Sequence, residues 1–190
     1  MASVSIRINE ADLISVRNML DGIKGAGDRV FARSLNKTLT GVKTDASTEV
    51  RKELNATKKV VDETFKIEKA FSGKMSASIH STGRPLPLIG FVGTKKTKLG
   101  VSVLIKKGRT RTVIPKTFIA TMKSGHKGVF WRQKVGGKMV KRLPISELFT
   151  SRVPDILENE PVMEEVLKKA DNRLHANIEH ELNYELSKLK

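Results

Sequence analysis

Between Lys69 and Ser146 the chain carries no Asp or Glu at all. From Lys66 to Arg142 there are 19 Lys and Arg against a single acid, Glu68. The flanks differ: Met1–Phe65 holds 11 basic and 9 acidic residues, and Leu143–Lys190 holds 6 and 10. A folded segment so one-sided repels itself and calls for a counter-charge nearby. Nucleic acid, an acidic partner protein, or the acidic C-terminal part of a neighbouring subunit would supply it. The plainer reading is a generic basic surface kept for solubility.

Hydrophobic periodicity sets the frame around that segment. Val4, Ile6 and Ile8 alternate with polar residues, as in a short half-buried strand. Asn9 reads as an N-cap and Asp12 lies near the positive end of the helix it opens. Leu13, Val16, Leu20 and Ile23 give that helix an apolar stripe, and Gly22, Gly25 and Gly27 end it. A longer helix is predicted from near Asp28, with Phe31, Leu35, Leu39, Val42, Ala46, Val50 and Leu54 on one face. Gly41 inside it costs about 1 kcal/mol of helix propensity. A shorter helix over Lys58–Phe65, capped by Thr57, follows.

Beyond Phe71 the texture becomes strand-like. Runs at Ser76–His80, Leu88–Val92, Gly100–Ile105, Thr112–Ile114 and Val129–Gln133 are punctuated by Gly and Pro. They predict a small, mostly antiparallel sheet with long basic loops, and Gly136-Gly137 reads as a hairpin turn. Pro161 suits a first helical position. Val162, Val166, Ala170, Leu174, Ile178, Leu182, Leu186 and Leu189 then repeat every three or four residues, with Glu164, Glu165, Glu179, Glu181 and Glu185 on the opposite face. The expectation is one α+β domain over residues 1–190: 1–65 mainly helical, 66–150 a basic β-rich core, and 151–190 a C-terminal amphipathic helix.

A hydrophobic content of 38% can build a core, so disorder of the whole chain is not expected. No stretch approaches the roughly 18 to 20 apolar residues of a membrane span. The N-terminal residues lack the basic-then-apolar pattern of a secretory signal. With no cysteine, disulfides, thiol nucleophiles and thiolate metal sites are excluded.

Catalytic constellations are equally absent. His175 and His180 stand five apart, about 140° round a helix, so they do not form an i, i+4 metal pair. His80 and His126 belong to no ligand motif either. Two-metal chemistry needs clustered carboxylates, and the acids sit only in the helical flanks. Gly137-Lys138 is no phosphate loop, because Arg132 replaces the first glycine and Met139 the Ser or Thr. These absences argue against an enzyme, and no cofactor or metal is expected. Aromatics are 5% of the chain, too few for a base-stacking platform. Lys and Arg can still follow phosphates without reading sequence.

The stretch Phe118–Leu157 carries a family resemblance. Its features are Phe118-Ile119-Ala120, then Ser124-Gly125-His126-Lys127-Gly128 leading into Val129-Phe130-Trp131-Arg132, then Leu143-Pro144-Ile145 and Val153-Pro154 before the closing helix. Upstream stands Arg33-Ser34-Leu35-Asn36-Lys37-Thr38. With these residues the chain resembles the prophage minor tail protein Z family, the tail completion proteins of long-tailed phages, from about Phe31 onward. It departs from the family at Leu148-Phe149-Thr150-Ser151, where a Leu-Tyr-Gly-Pro-like run is usual.

The resemblance implies a non-enzymatic virion protein, made in the host cytoplasm and built into the neck or tail top. It implies a homohexameric ring between the tail terminator and the head–tail connector, surrounding the DNA passage, and no membrane contact. On that reading Lys95, Lys96, Lys98, Lys106, Lys107, Arg109 and Arg111 are the candidate DNA-facing charges. Glu164, Glu165 and Glu181 are the candidate subunit-interface acids, since closed rings join two different patches head to tail. Two other readings fit the charge: a free, sequence-blind nucleic-acid binder, and an assembly factor that leaves before the particle matures.

Overall fold

The computed structural model describes residues 3–7, 14, 16, 18, 20, 25–135, 138–139 and 144–188. The chain is α+β and divides into two compact units, each discontinuous in sequence. The first helix expected from Asn9 falls largely outside the described residues, although Val16 and Leu20 of its stripe are buried.

The first unit comprises Met1–Ser47, Phe65–Thr82 and Ile156–Lys190. Its long helix α1 spans Ala26–Glu53, the last turns of which belong to the second unit. Val30, Phe31, Leu35, Leu39, Val42 and Ala46 are buried on one face, as the three-to-four spacing predicts. Asp28 in the first turn and Arg51 and Lys52 in the last complement the helix dipole.

The C-terminal helix α4, Glu160–Ser187, follows Asn159 as its N-cap residue and carries Pro161 in its first turn, where a missing N–H costs nothing. It meets α1 along small residues. Ser34 Oγ donates to the Asn177 carbonyl at 3.1 Å, and Asn177 Nδ2 donates to Thr38 Oγ1 at 2.9 Å. At Gly41 a Cβ would stand 2.3 Å from Arg173 Cδ. Arg173 crosses that bare backbone to donate to Asp45 at 2.8 Å. The glycine that weakens α1 locally is what lets this side chain lie across it.

Strand β1, Ser3–Arg7, pairs antiparallel with β3, Ser76–Ser81, which also pairs with β2, Phe65–Glu68. Both expected strands are present; Ile8 lies outside the described residues. Ala77, Ile79 and Ser81 alternate inward on the central strand β3.

The buried line of α4 corrects the sequence reading. Val166, Ala170, Leu174 and Ile178 are buried as predicted, but the line continues through Glu181 and Glu185, each 3% exposed. Leu182 and Leu186 are only half-buried, and Leu189 lies outside the described residues. Glu185 receives Arg33 at 2.7 Å and Lys188 at 3.0 Å, with Arg29 at 3.7 Å. Glu181 takes Lys37, and Arg33 at 3.7 Å.

The hydrogen bond from the Lys188 ammonium, together with the charges of Arg29 and Arg33, holds the Glu185 carboxyl below its ordinary value of 4.5, against the opposing effect of burial. A carboxyl depressed on folding takes up its proton more readily when unfolded. Its contribution is therefore complete above 4.5 and lost as pH falls through the lowered value. The thermal midpoint should decline below about pH 4.5, and Glu185→Gln should make that decline shallower in a melting series. An unchanged acid limb in the variant would remove Glu185 from this role.

The second unit comprises Thr48–Thr64 and Gly83–Asp155. Helix α2 covers only Lys58–Asp62, shorter than expected; Thr64 Oγ1 donates to Val61 O at 2.7 Å and closes it before β2 begins. Thr57 occupies the cap position, yet its hydroxyl does not cap; its amide instead donates to Gly90 O at 2.9 Å.

Leu88–Val92 was expected as a strand, but Leu88–Gly90 forms a 3-10 turn after the short strand β4, Pro85–Pro87. The Gly90 carbonyl is engaged by the Thr57 amide and not by a strand partner. Gly90 also lies so close to Val60 that a Cβ would be 2.7 Å from its Cγ2. The segment wraps Asn55 instead: Val92 N donates to Asn55 O at 2.8 Å, and Asn55 Nδ2 donates to Val92 O at 2.9 Å and Leu104 O at 3.2 Å.

Three antiparallel sheets and a two-stranded hairpin complete the unit among the described residues. Strands β5 (Lys95–Lys96), β6 (Gly100–Val103) and β7 (Thr112–Pro115) form one, in that order. Strands β8 (Thr117–Thr121) and β9 (Lys127–Arg132) pair, and β12 (Ile145–Glu147) adds to the free side of β9. Strand β13 (Phe149–Arg152) pairs with β4 and leads into the short helix α3, Val153–Leu157. Between β9 and β12, strands β10 (Lys134–Val135) and β11 (Lys138–Met139) pair as a hairpin would; Gly136-Gly137 themselves lie outside the described residues. The expected sheet is thus several small sheets, every pairing antiparallel.

Candidate nucleic-acid and subunit interfaces

The seven candidate cations all sit on β5–β6–β7 and its loops, and all are exposed. They divide into groups. Lys95 pairs with Ser102 and Lys96 with Val101, so their side chains leave opposite faces of the strand. The β6–β7 loop carries Lys106, Lys107, Arg109 and Arg111, and it departs from the Val103 end of β6. Lys98 lies past the Gly100 end, roughly 10 Å away along the strand.

The loop is anchored by its backbone. Lys107 N donates to Glu53 O at 2.8 Å, Lys106 bridges Leu54, and Gly108 takes φ +76° at the turn. Arg111 Nη1 donates to Gly93 O at 2.6 Å, which ties this guanidinium to the neighbouring turn. Lys116, which sequence reasoning missed, joins Lys98: its amide donates to Leu99 O at 3.1 Å. No signal in the sequence brings those two residues together, because strand register does it.

Glu164 and Glu165 are exposed on the first turns of α4, and Lys169 pairs with Glu165 at 3.1 Å. Glu181 is not with them; it is buried in its own chain's ion pairs. Among the described residues no group of His, Asp and Glu is arranged to hold a metal ion. No described helix is long and apolar enough to cross a membrane.

The segment Ser124–Gly128 makes a turn into β9. Met122 N donates to His126 O at 2.7 Å, and Gly125 adopts φ +82°. His126 Nε2 meets Glu147 Oε2 at 2.8 Å, and Gly128 leaves room for that carboxylate, since a Cβ would sit 2.6 Å from Glu147 Oε1. Val129 and Phe130 are core, and the Arg132 guanidinium lies 4.6 Å from the Phe118 ring centre. These residues hold β8, β9 and β12 together, a structural role rather than a reactive one.

The family model described as prophage minor tail protein Z (GPZ) matches residues 14–190. The chain belongs to this family. It is thus a structural protein of a phage tail, and its working partners include other tail components. The tail of the virion is the location that fits a Z-family protein, and the family is not a known enzyme family. No curated protein and no solved structure matches the chain.

Proposed function

We propose that this Z-family protein forms a homohexameric ring at the top of the tail, between the tail terminator and the head–tail connector, and encloses the DNA passage. The observation that carries the reading is the basic β5–β6–β7 sheet. Seven exposed cations stand on it and its loops, within a segment that has no acid from Lys69 to Ser146, in a chain of the minor tail protein Z family. Lys95, Lys96, Lys98, Lys106, Lys107, Arg109 and Arg111 supply charge toward the duplex. The contact is weak and sequence-blind, as a translocating DNA requires, because phosphate contacts position without specifying.

Quantitative mass spectrometry of purified particles tests it. About six copies per virion are expected from one cyclic ring. Absence from infectious particles would overturn the reading. A salt titration of DNA binding by the isolated chain would then separate its rivals: steep weakening with salt marks a free nucleic-acid binder, and no binding marks an assembly factor.

A further inference from the structure

An open groove of about 830 Å³ lies where α3 hands over to α4. Leu157, Met163 and Leu167 form its apolar walls, and Leu167 is 47% exposed although it stands on a helix that buries its other face. Leu157 and Met163 also line a smaller cavity beneath, with Phe65 and Ile79, so the groove floor is the outer wall of a packed core. Around the rim stand the exposed carboxylates of Glu158, Glu160 and Glu164. Lys168 is the one cation among its lining residues. A groove with this chemistry fits an apolar knob carried on a basic collar.

The chain presents such a knob. Leu99, at the tip of the β5–β6 hairpin, is 77% exposed, the most exposed large apolar residue among the described ones. Lys98 precedes it, Lys96 stands on the strand behind, and Lys116 donates its amide to the Leu99 carbonyl. The tip is held rigid: Thr97 N donates to Gly100 O at 2.7 Å, and Gly100 N donates to Thr97 Oγ1 at 3.2 Å. A pre-formed tip loses little conformational freedom on docking. The stems of Lys96 and Lys98 can cover the apolar walls while their heads reach the rim.

We propose that the Leu99 tip of one copy docks in the Leu157–Met163–Leu167 groove of the next copy. This deepens the ring reading and rests on it. Knob and groove are different patches, so the contact is heterologous, the kind that propagates from subunit to subunit until a ring closes. Glu160 and Glu164 then supply counter-charge to Lys96 and Lys98, and this contact leaves Lys95, Lys106, Lys107, Arg109 and Arg111 as the cations turned to the duplex.

The chain has no cysteine, so engineered thiols report the contact cleanly. Particles are assembled from an equal mixture of Leu99→Cys and Leu167→Cys chains and oxidised with copper phenanthroline. A covalent dimer containing both variants is expected on a non-reducing gel, and none from either variant alone or from Leu99→Cys mixed with Ile67→Cys. Adding Glu160→Lys and Glu164→Lys to the Leu167→Cys chain should abolish the dimer, and Lys96→Glu with Lys98→Glu on the Leu99→Cys chain should restore it. Several copies per particle without a mixed dimer would overturn this contact and leave the ring intact; the groove would then belong to a different tail protein. A single copy, or none, would overturn both.

Discussion

Gly100→Ala should prevent the β5–β6–β7 sheet from forming. A Cβ at this position would stand 2.0 Å from Ile114 O, 2.9 Å from Ile114 C and 3.1 Å from Pro115 Cα. All three are backbone atoms of β7, the strand to which Gly100 is paired opposite Pro115. A side chain can rotate away from a clash, but a ladder must open to relieve one. Opening it would expose Val101 and Val103, both essentially inaccessible in the native fold. Overpacking costs about 1–3 kcal/mol where the surroundings can shift, and this site lies at or beyond the upper end. Gly83→Ala is the matched control, since nothing lies within 4 Å of its added Cβ. The expected result is loss of soluble protein or a strongly lowered thermal midpoint for Gly100→Ala, with Gly83→Ala close to wild type. Equal melting of the two would refute the close approach of β6 and β7.

The second large effect is expected at Glu181. Its carboxylate is buried against Lys37 and Arg33, one helical turn from Glu185 with Arg29 and Lys188. Glu181→Lys would leave one carboxylate among five cations at the seam between α1 and α4. Removing one partner of a buried pair costs about 3–5 kcal/mol. Arg33 and Lys37 are nearly half exposed, at 43% and 49%, so water screens the loss toward the lower end of that range. About 3 kcal/mol corresponds to roughly 10 °C in the midpoint of a chain this size. Glu181→Leu should be far milder, because it keeps the packing while both cations can turn to solvent. Equal losses in the two variants would assign the effect to packing instead of charge. It follows that Glu181→Lys would block assembly through unfolding, so tests of the subunit interface belong at Glu160 and Glu164.

Much of the frame is legible in the sequence alone. The stripe from Phe31 to Leu54 predicted α1, Pro161 marked the first turn of α4, and the alternation at Val4 and Ile6 predicted β1, because each pattern reports a local backbone period. The family was legible too, in the turn Ser124–Gly128 and the strand that follows. The basic loops could be named from composition, since charge excess needs no fold to be counted. Where prediction failed, neighbours distant in sequence had intervened. Leu88–Val92 looked like a strand, but Asn55 and Thr57 claimed its backbone groups.

Glu181 and Glu185 looked outward-facing until Arg29, Arg33 and Lys37, about 150 residues earlier, met them across two helices. Gly41 and Gly100 looked like weaknesses or ordinary spacers; the structure shows Arg173 lying across the first, and the β7 backbone leaving no room for a Cβ at the second. The groove beside α3 and the Leu99 tip left no trace in any local pattern. The sequence by itself determined the two long helices, the charge segregation and the family, because these follow from local period and composition. The tertiary structure alone decided which acids are spent inside the fold and which remain for a partner, because burial and pairing depend on residues far apart in the chain.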